Sequence, residues 1–376
     1  MPLHVLHIFK LYLPDLHGGI QEVIRQLCHI TSERHGVENR VLTVAQGPGN
    51  REIALPENLV IRCKMTLDIA STPMSFDMIG EFKRQLQWAD VVHYHFPWPF
   101  GEALHLMYGR KKKSVVTYHS DIYKQCLLKI LYAPLMHSFL KSVDGIVVTS
   151  QNYLETSSDL VRHKKRCTVI PLGLDEASYA CPPSGLVKSW QEKVGRDFFF
   201  FIGILRYYKG LDVLLEAARD ASFKVVIAGT GPLENKLKEQ AKQQGLKNVI
   251  FAGYVGDADK TALFSLARAV VFPSLFRSEA FGVSLLEGAM FGLPLITTEI
   301  GTGTTFVNKK NVTGLVVPPG DAGELRQAMN TLENDKAICI TFGRNARKRY
   351  EELFTADKMG EQYFALYTKI LKEAHT

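Results

Sequence analysis

The chain has 376 residues, of which 46% are hydrophobic and 22% charged, a composition that suits two ordinary globular domains better than one core. Its net charge of +7 is spread over both halves without a basic stripe of interleaved aromatics, which speaks against a nucleic-acid partner. No apolar run reaches the ~20 residues that span a bilayer, and the six cysteines include no Cys-x-x-Cys, which fits a reducing compartment and argues against a structural zinc.

The amino terminus, Met-Pro-Leu-His-Val-Leu-His-Ile-Phe, lacks a basic region and a cleavage site, so it reads as a first strand and not as a signal peptide. Short apolar runs predict strands at 5–9, 40–44, 91–96, 114–119, 145–149 and 168–171 in the first half. After the first strand, Leu16-His-Gly-Gly-Ile-Gln-Glu22 opens a helix over 20–30. Gly18 and Gly19 allow close backbone approach to a ligand, and the helix start favours an anion. A plain loop-to-helix turn reads the same residues equally simply. The stretch is no dinucleotide fingerprint, because the spaced third glycine is missing. His93 and His95 share a strand face; their spacing suits a metal, but no third ligand is near in sequence. His119 ends a strand. Two basic clusters, 110–113 and 162–166, read as solvated loops or as contacts for anionic lipid headgroups. The segment 122–132, with Lys124, Leu127, Leu128, Leu131 and Tyr132, suits a core-facing or an interfacial helix.

The Pro/Gly-rich stretch 180–185 marks a domain boundary. Beyond it, strands are predicted at 198–203, 224–228, 249–252, 270–272, 295–298 and 314–317, mostly followed by helical patterns, as parallel βα units require. Gly203-Ile-Leu-Arg-Tyr-Tyr-Lys-Gly210 follows the first of these as an exposed turn. Arg206 and Lys209 there could hold a diphosphate without a metal. Gly229-Thr-Gly-Pro232 begins a Gly-x-Gly and stops. Asp257-Ala-Asp259 has the spelling of some metal-dependent sugar transferases, but N-capping of a helix over 260–269 accounts for it. Glu279-Ala-Phe-Gly-Val-Ser-Leu-Leu-Glu287 places one carboxylate in the loop after a strand and the other in the next helix. On one helix they would lie ~12 Å apart, beyond the ~5–9.5 Å of a hydrolytic pair, so separate binding roles fit better. The candidate features gather at strand ends, where open α/β sheets bind ligands.

The ordered set Gly18-Gly19, Asp90-Val-Val-His-Tyr-His95, Thr117-Tyr-His119, Pro171-Leu-Gly173, Lys209-Gly210, Gly229-Thr-Gly-Pro232, Phe272-Pro-Ser274, Glu279-x₇-Glu287, Gly292-Leu-Pro294 and Thr313-Gly-Leu-Val-Val-Pro-Pro319 runs nearly end to end. It resembles the retaining glycosyltransferases of family 4. Within them, His95-Phe-Pro-x-Pro99, the 205–210 turn and 299–304 look like bacterial enzymes that use GDP-mannose to build O-antigen or capsule.

The resemblance implies an α/β GT-B fold, two doubly wound Rossmann-like domains facing across a deep cleft. Residues 1–180 would bind the acceptor, with the C-terminal helix at about 358–376 returning to them, and residues 181–357 would bind a nucleotide-sugar. It assigns catalytic positions to His119 and Glu279. Donor-binding positions go to Gly18, Gly19, Arg206, Lys209, Glu279, Ala280, Phe281, Gly282, Val283 and Glu287. Lys209 and Arg206 would hold the diphosphate, Glu279 with the Phe281 and Gly282 N–H groups the sugar, and Glu287 the ribose. Many relatives carry the arginine directly after the first glycine of the 203–210 turn, where this chain has Ile204, so Arg206 sits two places late. The implied reaction moves a hexose, mannose from GDP-mannose, with retention and without metal or cofactor. The acceptor would be a glycan or polyprenyl-diphosphate-linked saccharide at the cytoplasmic face of the inner membrane, with peripheral contact to anionic lipid. A UDP-sugar transferase of the same family and a nucleotide-sugar epimerase are the alternatives. Oligomeric state is unreadable.

Overall fold

A computed structural model describes residues 2–47, 49–122 and 126–373, the side chains of 126–129 apart. Lys124, Leu127 and Leu128 of the amphipathic segment therefore lie outside the described residues, while Ile130 and Leu131 are exposed on the helix Cys126–Ser142. The chain forms two compact units, Met1–Gly173 with Ala356–Thr376, and Leu174–Thr355.

The first unit holds an eight-stranded sheet and a two-stranded ribbon. Its strands are β1 (His4–Ile8), β2 (Glu38–Ala45), β3 (Glu52–Ala54), β4 (Leu59–Lys64), β5 (Leu67–Ile69), β6 (Thr72–Met74), β7 (Val91–Phe96), β8 (Lys113–Tyr118), β9 (Gly145–Val148) and β10 (Cys167–Val169). The sheet order is β10-β9-β8-β7-β1-β2-β4-β3, with only β3 antiparallel, and β5 pairs β6 separately. Winding outward from β1 through β2, then back to β7 on its other side, makes a topological switch point between β1 and β7. One face of this sheet carries the odd-numbered residues of β1, β2, β7, β8 and β9. Val5, Val91, Val115 and Val147 form its apolar half and pack with Leu27, Met359, Tyr363 and Tyr367 of the helices Gly19–His35 and Ala356–Lys372. Gly360 lets those helices approach, since a Cβ there would stand 2.6 Å from Ile30.

The second unit holds a six-stranded parallel sheet, β11 (Phe198–Ile202), β12 (Val225–Ala228), β13 (Val249–Gly253), β14 (Ala267–Phe272), β15 (Leu295–Thr298) and β16 (Gly314–Val317), in the order β13-β12-β11-β14-β15-β16. Its central strand, Phe-Phe-Phe-Phe-Ile, is apolar throughout, as a strand covered on both faces must be. The switch point here falls between β11 and β14.

All twelve expected strands are present, with ends within three residues of expectation. Four others, β3 to β6, carry no sequence signal that separates them from loop: three are only three residues long, and β4 has Arg62 in its middle. Arg62 is buried in that strand because it pairs with Asp15, Nε to Oδ2 2.8 Å. The chain leaves the first unit at Gly173, ahead of the Pro/Gly-rich 180–185. Residues after Gly173 are already committed to the second unit: Leu174 bridges Thr355, and Asp175 caps the turn Glu176–Ser178. Pro183 is the N-cap of the helix Ser184–Val194, so the Pro/Gly composition marks a helix entry.

Candidate functional site

In the second unit the loops after β11 and β14, the strands that flank the switch point, touch each other. Gly210 has φ +66°, and a Cβ there would lie 2.0 Å from the Pro273 carbonyl oxygen. Leu275 N–H donates to the Tyr208 carbonyl at 2.8 Å. This contact brings Lys209 to Glu279: the ammonium donates to Glu279 Oε2, and both side chains are buried. Ser274 Oγ stands 3.5 Å from the same oxygen, and Lys209 Nζ lies 4.5 Å from the centre of the Phe272 ring. Burial, with the Glu279 charge second, pushes the Tyr208 hydroxyl above its ordinary pKa. Lys209 is therefore not on an exposed turn, as its sequence setting implies; its stem is packed and its charge is spent on Glu279. Arg206 is exposed.

Glu279 leads through Gly282, at φ +89°, into the helix Val283–Met290. Ser284 Oγ donates to the Ile202 carbonyl at 3.0 Å, pinning the helix start to the end of β11. The N–H groups of Phe281 and Gly282 take no partner among the described residues. Ala280 accepts from Gly303 N–H at 2.7 Å, and Val283 is the first helical residue. Glu287 sits one turn in, buried. Its Oε1 accepts from Tyr179 OH at 2.9 Å and from Lys260 Nζ at 2.8 Å. Tyr179 and Lys260 carry no motif that sequence reading could have used. Asp257 and Asp259 are not N-caps: Gly256 holds that position, and the two sit in the first turn, where the helix dipole favours them. Asp259 accepts from Trp190 Nε1 at 2.8 Å, while Asp257 is exposed.

In the first unit, Gly18 is the N-cap of the helix Gly19–His35, with extended backbone and no capping side chain. The β1–helix loop before it is held by the Asp15–Arg62 pair. The carboxyl half of the odd-numbered sheet face is polar. Register places His7 of β1 beside His93 of β7, and His95 beside Thr117 of β8. His7 Nδ1 lies 3.1 Å from His95 Nε2, and His95 Nδ1 lies 3.0 Å from His119 Nε2. His93 bonds Tyr367 OH and Thr117 Oγ1, each at 2.7 Å, and Thr117 bonds Tyr363 OH. All four imidazoles are buried. Burial is the leading cause that holds His7 at about 4, His119 at about 3, and His93 and His95 well below the ordinary value. His7 escaped sequence reading, although its place two residues after Val5 puts it on the face of His93 and His95.

His7, His93 and His95 also bring ligand atoms within 4.8 Å of one another. All six of their ring nitrogens already stand in hydrogen bonds to side chains, so a metal would have to displace that network.

Residues 17–178 match the family described as Glycosyltransferase Family 4, and residues 186–349 the one described as Glycosyl transferases group 1. The chain is 46% identical over 370 residues to O-antigen chain mannosyltransferase C of Escherichia coli, covering 98% of this chain and 99% of that protein. It is 48% identical over 354 residues to D-rhamnosyltransferase WbpZ of Pseudomonas aeruginosa, covering 94% and 93%. Sucrose-phosphate synthase from Thermosynechococcus elongatus has the same fold, with a TM-score of 0.82 at 20% identity over 99% of this chain and 100% of that chain. The chain belongs to the family 4 glycosyltransferases. It is a glycosyltransferase built on the GT-B fold of two Rossmann-like domains.

Proposed function

We propose that the enzyme transfers mannose from GDP-mannose, with retention and without a metal, to a glycan or polyprenyl-diphosphate-linked saccharide in bacterial surface polysaccharide synthesis. The observation that carries this reading is the buried Lys209–Glu279 pair at the switch point of the second sheet. A diphosphate arriving there draws the Lys209 ammonium to itself. Glu279 is then free to accept from sugar hydroxyls, beside the open N–H groups of Phe281 and Gly282. As the bond to the anomeric carbon breaks, charge grows on the leaving diphosphate. Lys209, Arg206 and the start of the helix Val283–Met290 stabilise it there. The acceptor hydroxyl enters on the same face, and positioning with electrostatics supplies the rate. Glu287 accepts from the ribose hydroxyls. His119, Gly18 and Gly19 supply ligand contacts from the first unit.

The names of the two relatives favour a manno-configured donor, mannose in one and its 6-deoxy form, D-rhamnose, in the other. The test is a donor screen with GDP-mannose, GDP-D-rhamnose and UDP-glucose against a pool of lipid-linked acceptors. GDP-mannose is expected to give product; transfer from UDP-glucose alone would overturn the donor assignment. Turnover of donor without any acceptor, the mark of an epimerase, is not expected.

No helix among the described residues is long and apolar enough to cross a membrane. The proposed contact with lipid is peripheral, at the cytoplasmic face. Three of the clustered basic residues serve the fold: Lys112 donates to the Ala89 carbonyl, Lys113 pairs with Asp144, and Arg166 donates to the carbonyls of Leu140 and Lys141. Arg110, Lys111, Arg162, Lys164 and Lys165 are exposed. Both clusters precede the amino ends of β8 and β10, which flank β9, so they emerge about 10 Å apart on one sheet edge. Reversing these five charges should abolish sedimentation with anionic vesicles at low salt, and wild-type binding should fall as salt rises. Undiminished binding by the reversed variant would remove the two clusters from the contact.

A further inference from the structure

The histidine layer of the first unit has a direction, and the direction is set at its far end. Asn39 of β2 is buried, and its Nδ2 reaches the Cys28 carbonyl at 3.1 Å, Ser32 Oγ at 2.9 Å and Thr31 Oγ1 at 3.2 Å. A carbonyl can only accept. Ser32 gives its hydroxyl proton to the Val37 carbonyl at 2.8 Å, and Thr31 gives its proton to the Leu27 carbonyl at 2.7 Å. All three neighbours therefore need a donor, and the amide cannot be turned round. Its Oδ1 faces His7 Nε2 at 3.2 Å. Two lone pairs facing each other in a buried site would be unfavourable, so His7 carries its proton on Nε2.

The rest follows by counting protons. A neutral imidazole has one N–H and one lone pair. His7 Nδ1 is then an acceptor, and His95 must give it the Nε2 proton. His95 Nδ1 is in turn an acceptor, and His119 must give it the Nε2 proton. The stacked rings, 5.4 Å apart for His7 and His95 and 5.3 Å for His95 and His119, keep this order along the layer. Burial keeps all three uncharged near neutral pH, which removes the imidazolium that would blur the count. His119 Nδ1 takes no partner among the described residues.

We propose that Asn39, acting through His7 and His95, locks His119 in its Nε2–H tautomer, so that His119 Nδ1 meets the ligand as an acceptor only. Asn39, His7 and His95 are positioning residues; His119 is the group that touches the ligand, a point that rests on the function proposed above. The chemical consequence is selective. An acceptor-only, neutral nitrogen takes a hydrogen bond from a sugar hydroxyl and repels a phosphate oxygen. His119 therefore reads the sugar and gives no charge to the diphosphate, which is left to Lys209 and Arg206.

The test uses the full chain with ¹⁵N-ring-labelled histidine, ligand-free, near pH 7.5, read by two-bond ¹H–¹⁵N correlation and assigned with His119→Gln and His95→Gln. His7, His95 and His119 should each show a single neutral Nε2–H form. His119 found as Nδ1–H, as an exchange average or as imidazolium would overturn the proposal. Asn39→Ala should release the direction, giving averaged tautomers at His119 and a kcat/KM with GDP-mannose about tenfold lower. His7→Phe removes the relay while leaving Asn39 to its helix partners, and should likewise give averaged tautomers at His119. A single unchanged Nε2–H form in Asn39→Ala would overturn the role of Asn39. Should that variant not fold, a single unchanged Nε2–H form at His119 in His7→Phe would overturn the relay. The tautomer is read without ligand, so a failure of GDP-mannose as donor leaves it standing and the two readings fail separately.

Discussion

In the first unit the strands flanking the switch point, β1 and β7, carry His7, His93 and His95 on one buried face. In the second unit the corresponding strands, β11 and β14, are apolar apart from Arg268, and the chemistry waits in the loops beyond their ends. All twelve histidines of the sequence fall within the first unit and none in the second. The difference follows from desolvation. A group placed between a sheet and its covering helices must be neutral and fully hydrogen-bonded, and imidazole and tyrosine meet that demand. A charge survives burial only where an opposite charge sits beside it, as at Lys209–Glu279 and Lys260–Glu287. One winding thus supports a neutral hydrogen-bonded layer in one unit and a charged pair beside open backbone N–H groups in the other.

The sharpest test of the charged half is Lys209→Ala. It leaves Glu279 buried without its cation, which should cost about 3–5 kcal/mol of stability, and it removes the proposed leaving-group contact, which should cost about 10²–10³-fold in rate. The sequence alone implies an exposed turn and a mutant that folds unharmed; the packed lysine reverses that expectation. Replacing the pair together, Lys209→Met with Glu279→Leu, should restore stability to urea but not turnover. Wild-type turnover in Lys209→Ala would take the residue out of the site.

Acid should act on the other half. His7 and His105 are held at about 4 and His119 at about 3, and His93 and His95 are also lowered, each mainly by burial. The unfolded chain protonates them near 6.5. Below that value it binds more protons than the folded unit, so the stability present above about 6.5 is lost as pH falls toward about 4. One such group loses about 2 kcal/mol by pH 5. Glu102 opposes this: burial raises it to about 7, so it gains a proton in the fold first. One carboxyl against five imidazoles leaves the sign unchanged. Hydrogen exchange at pH 7.5 and 5.5 should show protection falling in β1, β7 and β8 and holding in β11 and β14. Equal loss in both units would break the comparison.

A smaller change is expected at Glu287→Gln. The substitution keeps the shape and removes the charge that Lys260 and Tyr179 meet at Oε1. Turning the proposed ribose acceptor from a charged to a neutral oxygen weakens that hydrogen bond and should raise KM for the donor about tenfold with little change in kcat. A lowered kcat at constant KM would move Glu287 away from a ground-state binding role.

The sequence carried the strands well because buried parallel strands spell themselves as apolar runs, and Phe198–Ile202 is the plainest of them. It singled out Lys209 and Glu279, in the loops after β11 and β14, and Glu287, in the helix that follows, because short motifs at strand ends stand out against apolar runs. It did not carry their partners. Glu287 meets Tyr179 and Lys260, 108 and 27 residues away, and neither has a pattern of its own. The histidine layer was half visible: His93 and His95 alternate within one strand, but His7 and Asn39 join them only through the register of β1 and β2. Arg62 misled in the opposite sense, since a charge inside β4 disguises a buried strand whose ion pair is made with a distant loop.

The smallest effect is expected from a chelator. Among the described residues, Asp257 with Asp259 in the second unit and His7, His93 and His95 in the first have side chains of a kind that could bind a metal. In each, the structure gives the groups other work. Asp259 holds Trp190, and the three imidazoles spend every ring nitrogen on neighbours. In the proposed reaction the leaving diphosphate has Lys209, Arg206 and a helix start for its charge. Turnover should therefore be unchanged after dialysis against EDTA. The two halves would answer differently if this were wrong. Loss of activity restored by Mg²⁺ or Mn²⁺, hard ions that prefer oxygen, would return Asp257 and Asp259 to the site. Loss restored by Zn²⁺ alone would place the ion among the imidazoles, and with it undo the proton count that fixes His119.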